Sequence, residues 1–418
     1  MTNLKALQLN GVKNIDSIEW IKTMPNLVEL DLRGTAITDL SILNTYAINL
    51  ETLLIDNENI ALKDIQTTIN RLGDYGYSKT LLGLHNNSKT TGLQIFNQKL
   101  ANKLTDCTEI TRFYLKEYPN LPNGLTFDLS NCNQLTDFKS KYYCTEKYIL
   151  PSSVQKVECM WINTWPDLSR CTQITEFVYY DLYSCTDEKI ENLFKELGKC
   201  QNLKKVELTA FHYDKVRGIE NLENTKIEKL TICGSYNTGW NNPLLASLNN
   251  IDGIGNLKTL KSLTMNYSSI KNLDALAGCE SLETLTMQYG QLNDISGIAN
   301  CTNLKAINFS GDNQIQHSII YNLEPLSNLT NLEVANFNYN SINNLHGIEN
   351  LQKLRVLSLN NNAITNYVST NNGQINNLEI LANLNKYSLR ELYLNNNKID
   401  DFSILKNITN WSNKSGWE

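Results

Sequence analysis

Apolar residues recur along this chain in the order apolar-x-x-apolar-x-apolar, and the block itself repeats. In the C-terminal half it starts at Leu260 (LKSLTM), Leu282 (LETLTM), Leu304 (LKAINF), Leu332 (LEVANF), Leu354 (LRVLSL) and Leu389 (LRELYL). The intervals from Leu260 to Leu304, and that from Leu332 to Leu354, are 22 residues; the others stretch to 28 and 35. The same phase is found at Leu203 and Ile227, and at Leu4, Leu27 and Leu50, which are spaced by 23 residues. A second apolar column follows ten residues after the first Leu, at Ile37, Ile60, Ile270, Leu292, Ile342, Ile364 and Ile399. Alternation within the block predicts a short strand with its apolar side chains on one face. So short a unit cannot bury that face alone, and stacked neighbours must do it.

Eight residues after the first Leu, Asn340, Asn362 and Asn397 share a column. An Asn amide there can satisfy backbone groups left unpaired where the chain turns out of the strand, and successive rungs can form a ladder. Ser268, Gly290 and Asp312 replace it in other units, which are expected to turn differently or to be less well tied. The resulting pattern, LxxLxLxxNxI, resembles the leucine-rich-repeat family. The units ending in ISGIANCTNL and LHGIENLQKL look most like the short repeats of bacterial internalins and of a eukaryotic phosphatase-regulatory subunit. The resemblance implies an α/β solenoid, a curved horseshoe with a parallel concave β-sheet and an irregular, 3-10 or helical convex side.

The middle of the chain is less regular. Candidate strands are TLLGL around Leu82, ITRFYL at Ile110, LTDF at Leu135, VQKVEC at Val154 and ITEFVY at Ile174. At Leu135 the register puts Ser140 on a position that should be apolar. LPNGL at Leu121 and LPSSV at Leu150 resemble the surface-antigen type of repeat. Two convex helices are predicted. ALKDIQTTINRLGDYGY carries Leu62, Ile65, Ile69 and Leu72 at helical spacing; TDEKIENLFKELGKC carries Ile190, Leu193, Phe194 and Leu197, with Gly198 as a stop. The expected organisation is one domain over 1–418 of about 16 rungs stacked at about 4.8 Å. Within it, 1–60 are regular rungs, 61–200 irregular rungs with longer helices, 201–400 regular rungs with loop insertions, and 401–418 a C-terminal cap. Phe402, Ile404, Leu405, Ile408 and Trp411 are the candidate closing lid.

Composition alters the picture in a few places. A chain of 418 residues would by length alone suggest two or three domains, and the repeat overrides that prior. Net charge of −6 gives no basic footprint for nucleic acid, and no apolar run is long enough for a membrane span. Asn is in excess, with 60 residues; many sit at turns such as NYNSINN and NNNAITN, and an AT-rich coding genome would inflate Asn equally. The opening MTNLKALQLNGV alternates polar with apolar, so no secretory leader is expected in the sequence as it stands. The compartment stays open: cytoplasmic on this sequence, secreted or cell-surface if a leader has been removed.

Ten Cys invite thoughts of disulfides or metal, but their phase argues otherwise. Cys107, Cys132, Cys171, Cys200, Cys279 and Cys301 each lie three residues before the next strand block, in a slot filled elsewhere by Leu257, Leu329 and Leu351. They read as small buried hydrophobes. His85, His212, His317 and His346 are isolated from one another, and no catalytic, phosphate-loop or metal-ligand motif is present. Catalytic residues, cofactors and metals are therefore none, and no enzyme is expected.

What remains is the strand face that does not enter the core. Positions 4, 6 and 7 after the first Leu are expected to project to the concave side. The position-7 column reads Gly11, Gly34, Asn57, Asn86, Glu117, Tyr142, Trp161, Asp181, Ala210, Gly234, Tyr267, Tyr289, Gly311, Tyr339, Asn361 and Asn396. Tyr beside small polar groups suits adaptable recognition, and Tyr beside Tyr also stabilises a sheet. The candidate partner-binding residues are Trp161, Tyr267, Tyr289, Asn308, Asn336, Asn338, Tyr339 and Tyr393, with Trp240 in the long insertion CGSYNTGWNNPLLASLNN. A second polar insertion, NNNAITNYVSTNNGQINN, is expected to be a loop. The reading is a non-catalytic module that binds an unknown protein partner on its concave face, as an internalin-like adhesin or effector. The alternative is an intracellular regulatory or scaffold subunit of a larger enzyme complex. The strand edge at Leu4 has no cap before it, which allows an oligomer closed over that edge.

Overall fold

The computed structural model describes residues 1–72, 92–115, 124–141, 147–160, 166–180, 186–209, 214–234, 248–311, 319–370, 373–384 and 387–407. They fall into two compact units, Met1–Cys185 with Lys199–Leu203, and Thr186–Gly198 with Lys204–Glu418. Each unit is built on one parallel sheet. The first contributes Ala6–Gln8, Glu29–Asp31, Thr52–Ile55, Gly92–Ile95, Arg112–Leu115, Asp137–Lys141, Lys156–Met160 and Glu176–Tyr180, in that spatial order. The second contributes Lys205–Leu208, Lys229–Ile232, Ser262–Thr264, Thr284–Thr286, Ala306–Asn308, Val334–Asn336, Val356–Ser358 and Glu391–Tyr393. The α/β solenoid implied by the repeat is the observed architecture.

In the second unit the register runs without slips from Leu263 through Leu285, Ile307, Ala335 and Leu357 to Leu392. All six are buried, while their strand neighbours Ser262 and Thr264, and the equivalents in the next three strands, are only half-buried. The core layer beyond holds Met265, Met287, Phe309, Phe337 and Leu359, with the two Phe rings edge to face at 5.7 Å. Each buried side chain of this size contributes roughly 1.5–3 kcal/mol.

Polar side chains set the spacing between rungs. The Asn362 amide donates to the carbonyls of Phe337 at 2.9 Å, Leu359 at 3.0 Å and Asn360 at 3.3 Å, and its oxygen accepts the Ile342 N–H at 3.0 Å. Asn340 and Asn397 repeat that pattern one rung before and one after. Where the column breaks, Ser268 is buried with its hydroxyl unpartnered. Asp312 lies outside the described residues. A further column, absent from the sequence reading, closes the far side. Asp39, Asn272, Asp294, Asn322, Asn344 and Asp401 each accept the N–H two residues on. In several rungs that bond opens a short 3-10 turn, as at Ser296–Ile298 and Glu324–Leu326.

The middle of the chain differs from its sequence reading in several places. The strand beside Thr52–Ile55 is Gly92–Ile95, with Leu53 opposite Leu93, rather than TLLGL, which lies outside the described residues. Thr90 stands where the first Leu of that block should be, which hides the strand in the apolar pattern. The helical stretch after Ile60 is a 3-10 turn, Leu62–Ile65, followed by Gln66–Arg71, and ends sooner than its period implied. Ser140 does occupy a buried core position, and the Tyr148 hydroxyl lies 2.8 Å from its Oγ. Tyr148 belongs to an additional parallel pair, Thr126–Asp128 with Lys147–Ile149, and packs against Phe127 and Phe138.

The helix Asp187–Leu197 buries Ile190, Leu193, Phe194 and Leu197, and Thr186 caps it. Gly198 ends it in ordinary right-handed geometry. Glycine is needed there because a Cβ would lie 2.4 Å from the Asn221 carbonyl oxygen. The second polar insertion is a hairpin, Tyr367–Thr370 against Gly373–Asn376, followed by the helix Asn377–Asn383. Asn377 is buried and donates to the Asn343 and Thr365 carbonyls while accepting from Leu345. Of the closing lid, Leu405 is buried but Ile404 is exposed, and Ile408 and Trp411 lie outside the described residues.

The Cys column has a second role besides filling space. The thiols of Cys132, Cys200 and Cys279 donate to carbonyls one rung back, those of Leu104, Cys171 and Ile254, at 3.4, 3.1 and 3.4 Å. Burial lifts Cys107, Cys132, Cys171, Cys233 and Cys279 from the ordinary 9.0 to about 12, and Cys301 to about 11. Thiolate is the reactive form, so these groups are inert near neutrality. Iodoacetamide at about pH 8 is expected to leave all eight described thiols unmodified in the native protein and to alkylate them in denaturant, as read by peptide mass spectrometry.

Candidate functional site

In the second unit the strand alternation turns positions 2 and 4 after the first Leu away from the core. Positions 6 and 7 follow on the same side as the chain leaves the strand. Position 2 was not among the expected columns, although period-two alternation from position 4 implies it. It adds Ser262, Thr284, Ala306, Val334, Val356 and Glu391.

Position 7 is where the backbone is unusual. Tyr267, Tyr289 and Tyr339 have φ of 57°, 58° and 57°, and Asn361 and Asn396 in the same column have 58°. Gly11 and Gly34, their counterparts in the first unit, have 79° and 68°. In the tyrosine rungs the position-7 N–H still bonds the next rung after the strand has ended. Tyr267 donates to Gln288 O at 2.9 Å, Tyr289 to Ser310 O at 3.0 Å and Tyr339 to Asn360 O at 2.9 Å. Gly and Asn enter the left-handed region readily, whereas a bulky L-residue pays about 1–2 kcal/mol. Tyr267 and Tyr289 stack at 5.0 Å with planes 19° apart, which returns about 0.5–1.5 kcal/mol. All three tyrosines are only half-buried.

The other candidates fall on the same surface. Asn308 and Asn336 are opposite each other in register, as are Ser358 and Tyr393. Their amide oxygens are committed: Asn308 accepts from Ser310 N–H at 3.2 Å and Asn336 from Asn338 N–H at 3.1 Å. Asn338 accepts from Asn360 N–H in the next rung at 2.7 Å, as Asn266 does from Gln288 at 2.9 Å. These bonds orient the amides and tie the rungs. The Tyr393 hydroxyl donates to Glu391 at 2.8 Å. Trp161 and Trp240 lie outside the described residues, as do Asn86, Glu117, Tyr142, Asp181 and Ala210 of the position-7 column. Among the described residues no group of three or more His, Cys, Asp or Glu could hold a metal ion, and no helix is long and apolar enough to cross a membrane. His346 pairs with Glu349 at 2.7 Å; the other three His are not described.

Along the rim, position 1 alternates in sign from Glu228 to Arg355, and Arg390 in the last rung repeats the positive sign. Lys261 pairs with Glu228 at 3.4 Å, Lys305 with Glu283 at 2.8 Å and Arg355 with Glu333 at 3.4 Å. The Lys305 hydrogen bond lowers the Glu283 carboxyl, and Glu283 in turn raises the Lys305 ammonium.

No protein-family model matches the sequence, and no curated protein matches it either. Solved structures do. A leucine-rich-repeat protein of Leptospira interrogans aligns over 96% of this chain and 92% of its own, with a TM-score of 0.50 and 18% identity. This chain has the leucine-rich-repeat fold. An internalin of Listeria monocytogenes aligns over 98% of this chain and 85% of its own at 18% identity and a TM-score of 0.45. Internalin C2 of the same organism covers 52% of this chain and 81% of its own, at 25% identity and a TM-score of 0.37. The tyrosines stand immediately before the ladder column, which holds Ser268, Gly290 and Asn340 in their three rungs.

Proposed function

We propose that this chain is a non-catalytic protein-binding module that engages its partner through the open, concave face of the second unit's sheet. The leucine-rich-repeat fold is that of an interaction module, with variable positions presented on a constant frame. The observation that carries the reading is the backbone of Tyr267, Tyr289 and Tyr339. Residues that fit this conformation without strain, Gly and Asn, occupy the same column elsewhere in the chain. A strained residue repeated in three rungs is supported by something other than folding stability, and exposed aromatic area is what Tyr adds.

The test is to replace all three by Asn. Relief of backbone strain in three rungs, at about 1–2 kcal/mol each, exceeds the loss of one stacked pair at about 0.5–1.5 kcal/mol, so melting should hold or rise. Proteins captured from lysate by the native chain should be absent from the variant's eluate. Equal capture by both, or collapse of the variant's stability, would show that the stripe only packs.

A further inference from the structure

We infer that the partner surface accepted by this face is an uncharged stretch of polypeptide, and that its binding is insensitive to salt. The inference rests on the concave-face reading and adds the chemistry of the partner. Across the six rungs that begin at Leu260, Leu282, Leu304, Leu332, Leu354 and Leu389, the columns at positions 2, 4, 6 and 7 hold a single charged residue, Glu391. That carboxylate already accepts the Tyr393 hydroxyl. The rest are Asn, Gln, Ser, Thr, Tyr, Val, Ala and Gly. Of the charged rim beside them, Lys261, Glu283, Lys305, Glu333 and Arg355 are held in the three ion pairs, which weakens their field over the face, and Arg390 adds one further cation at the last rung.

Such a neutral face is not the habit of the whole chain. The corresponding columns of the first unit carry Asp31, Arg33, Lys139, Glu158, Lys156 and Glu176, with Lys139 and Glu158 paired at 2.9 Å. Across the six-rung window, except beside Glu391 at its end, a charged partner residue would lose its water without a counter-charge, at a cost of kilocalories. A polypeptide with polar, uncharged groups instead meets oriented amides and hydroxyls, while Val334 and Val356, opposite each other in register, offer apolar contact. With a single carboxylate at one end of the face there is little steering, so both association and affinity should be nearly flat in ionic strength.

The experiment is a selection of displayed random peptides on the full chain, with counter-selection on the triple Tyr→Asn variant. Enriched sequences should be depleted in Asp, Glu, Lys and Arg relative to the unselected library. Synthetic copies should change affinity by less than about twofold between about 0.05 and 0.5 M NaCl. A Thr286→Lys variant, with one charge placed mid-face, should weaken them by about tenfold or more. Enriched peptides that carry charge, or that weaken tenfold with salt, would overturn the inference while leaving the concave-face reading standing. If no peptide distinguishes the native chain from the Tyr variant, the concave-face reading fails and the inference falls with it.

Discussion

Replacing Gly347 by Ala is expected to cost the second unit about 2–5 kcal/mol, a large loss for one methyl group. Two penalties add. The residue has φ of +108°, a conformation that L side chains rarely adopt, and its Cβ would lie 2.3 Å from the Leu323 carbonyl oxygen and 2.6 Å from the Glu324 Cα. The obstacle is backbone of the preceding rung, which cannot yield as a flexible side chain would. Gly373→Ala is the built-in control, because φ there is +121° with nothing within 4 Å of the added atom. Urea denaturation of both should show the Gly347 variant losing substantially more than the Gly373 variant. Equal losses would mean that the rungs can separate to admit the methyl.

Asn362→Ala should be the second severe change, at about 2–4 kcal/mol. One side chain ties three carbonyls and one N–H from two rungs, and removal leaves those groups partly buried and unpaired. Asn362→Asp should be no better, since it keeps the acceptor for Ile342 but turns negative oxygen toward the carbonyls of Phe337 and Leu359. Hydrogen exchange checks the mechanism as well as the magnitude. The Ile342 amide should lose protection first, and amides of the first unit should be unaffected, because a stacked repeat transmits stability mainly to its neighbours. Unchanged protection at Ile342 would mean that the ladder bond contributes nothing to holding the rungs.

Much of this was legible in the residues. Where a Leu opened the block inside the stack, as at Leu260 or Leu354, the strand and its buried face followed directly. The Cys slot was legible too, because phase relative to the strand identifies a core position whatever residue fills it. The reading missed the strand Gly92–Ile95, where the opening Leu is absent, and the hairpin Tyr367–Thr370 with Gly373–Asn376, where polar composition resembled a loop. It also missed the Asp and Asn column on the far side, since a cap accepting an N–H two residues on leaves no hydrophobic period.

Periodicity specified the repeat, its stacking and which side chains form the core, because burying a one-faced strand requires them and the spacing of Leu records that need. The meaning of the tyrosine column was not in the pattern. Tyr267 next to Asn266 reads the same in one dimension whether its backbone is relaxed or left-handed. The left-handed angle arises where the chain leaves the strand in three dimensions, and the carbonyl that accepts each tyrosine's N–H is in place only once the rungs are stacked. Neutrality of the open face likewise emerged from register, which gathers residues 22 or more positions apart onto one surface and pairs the rim charges with each other.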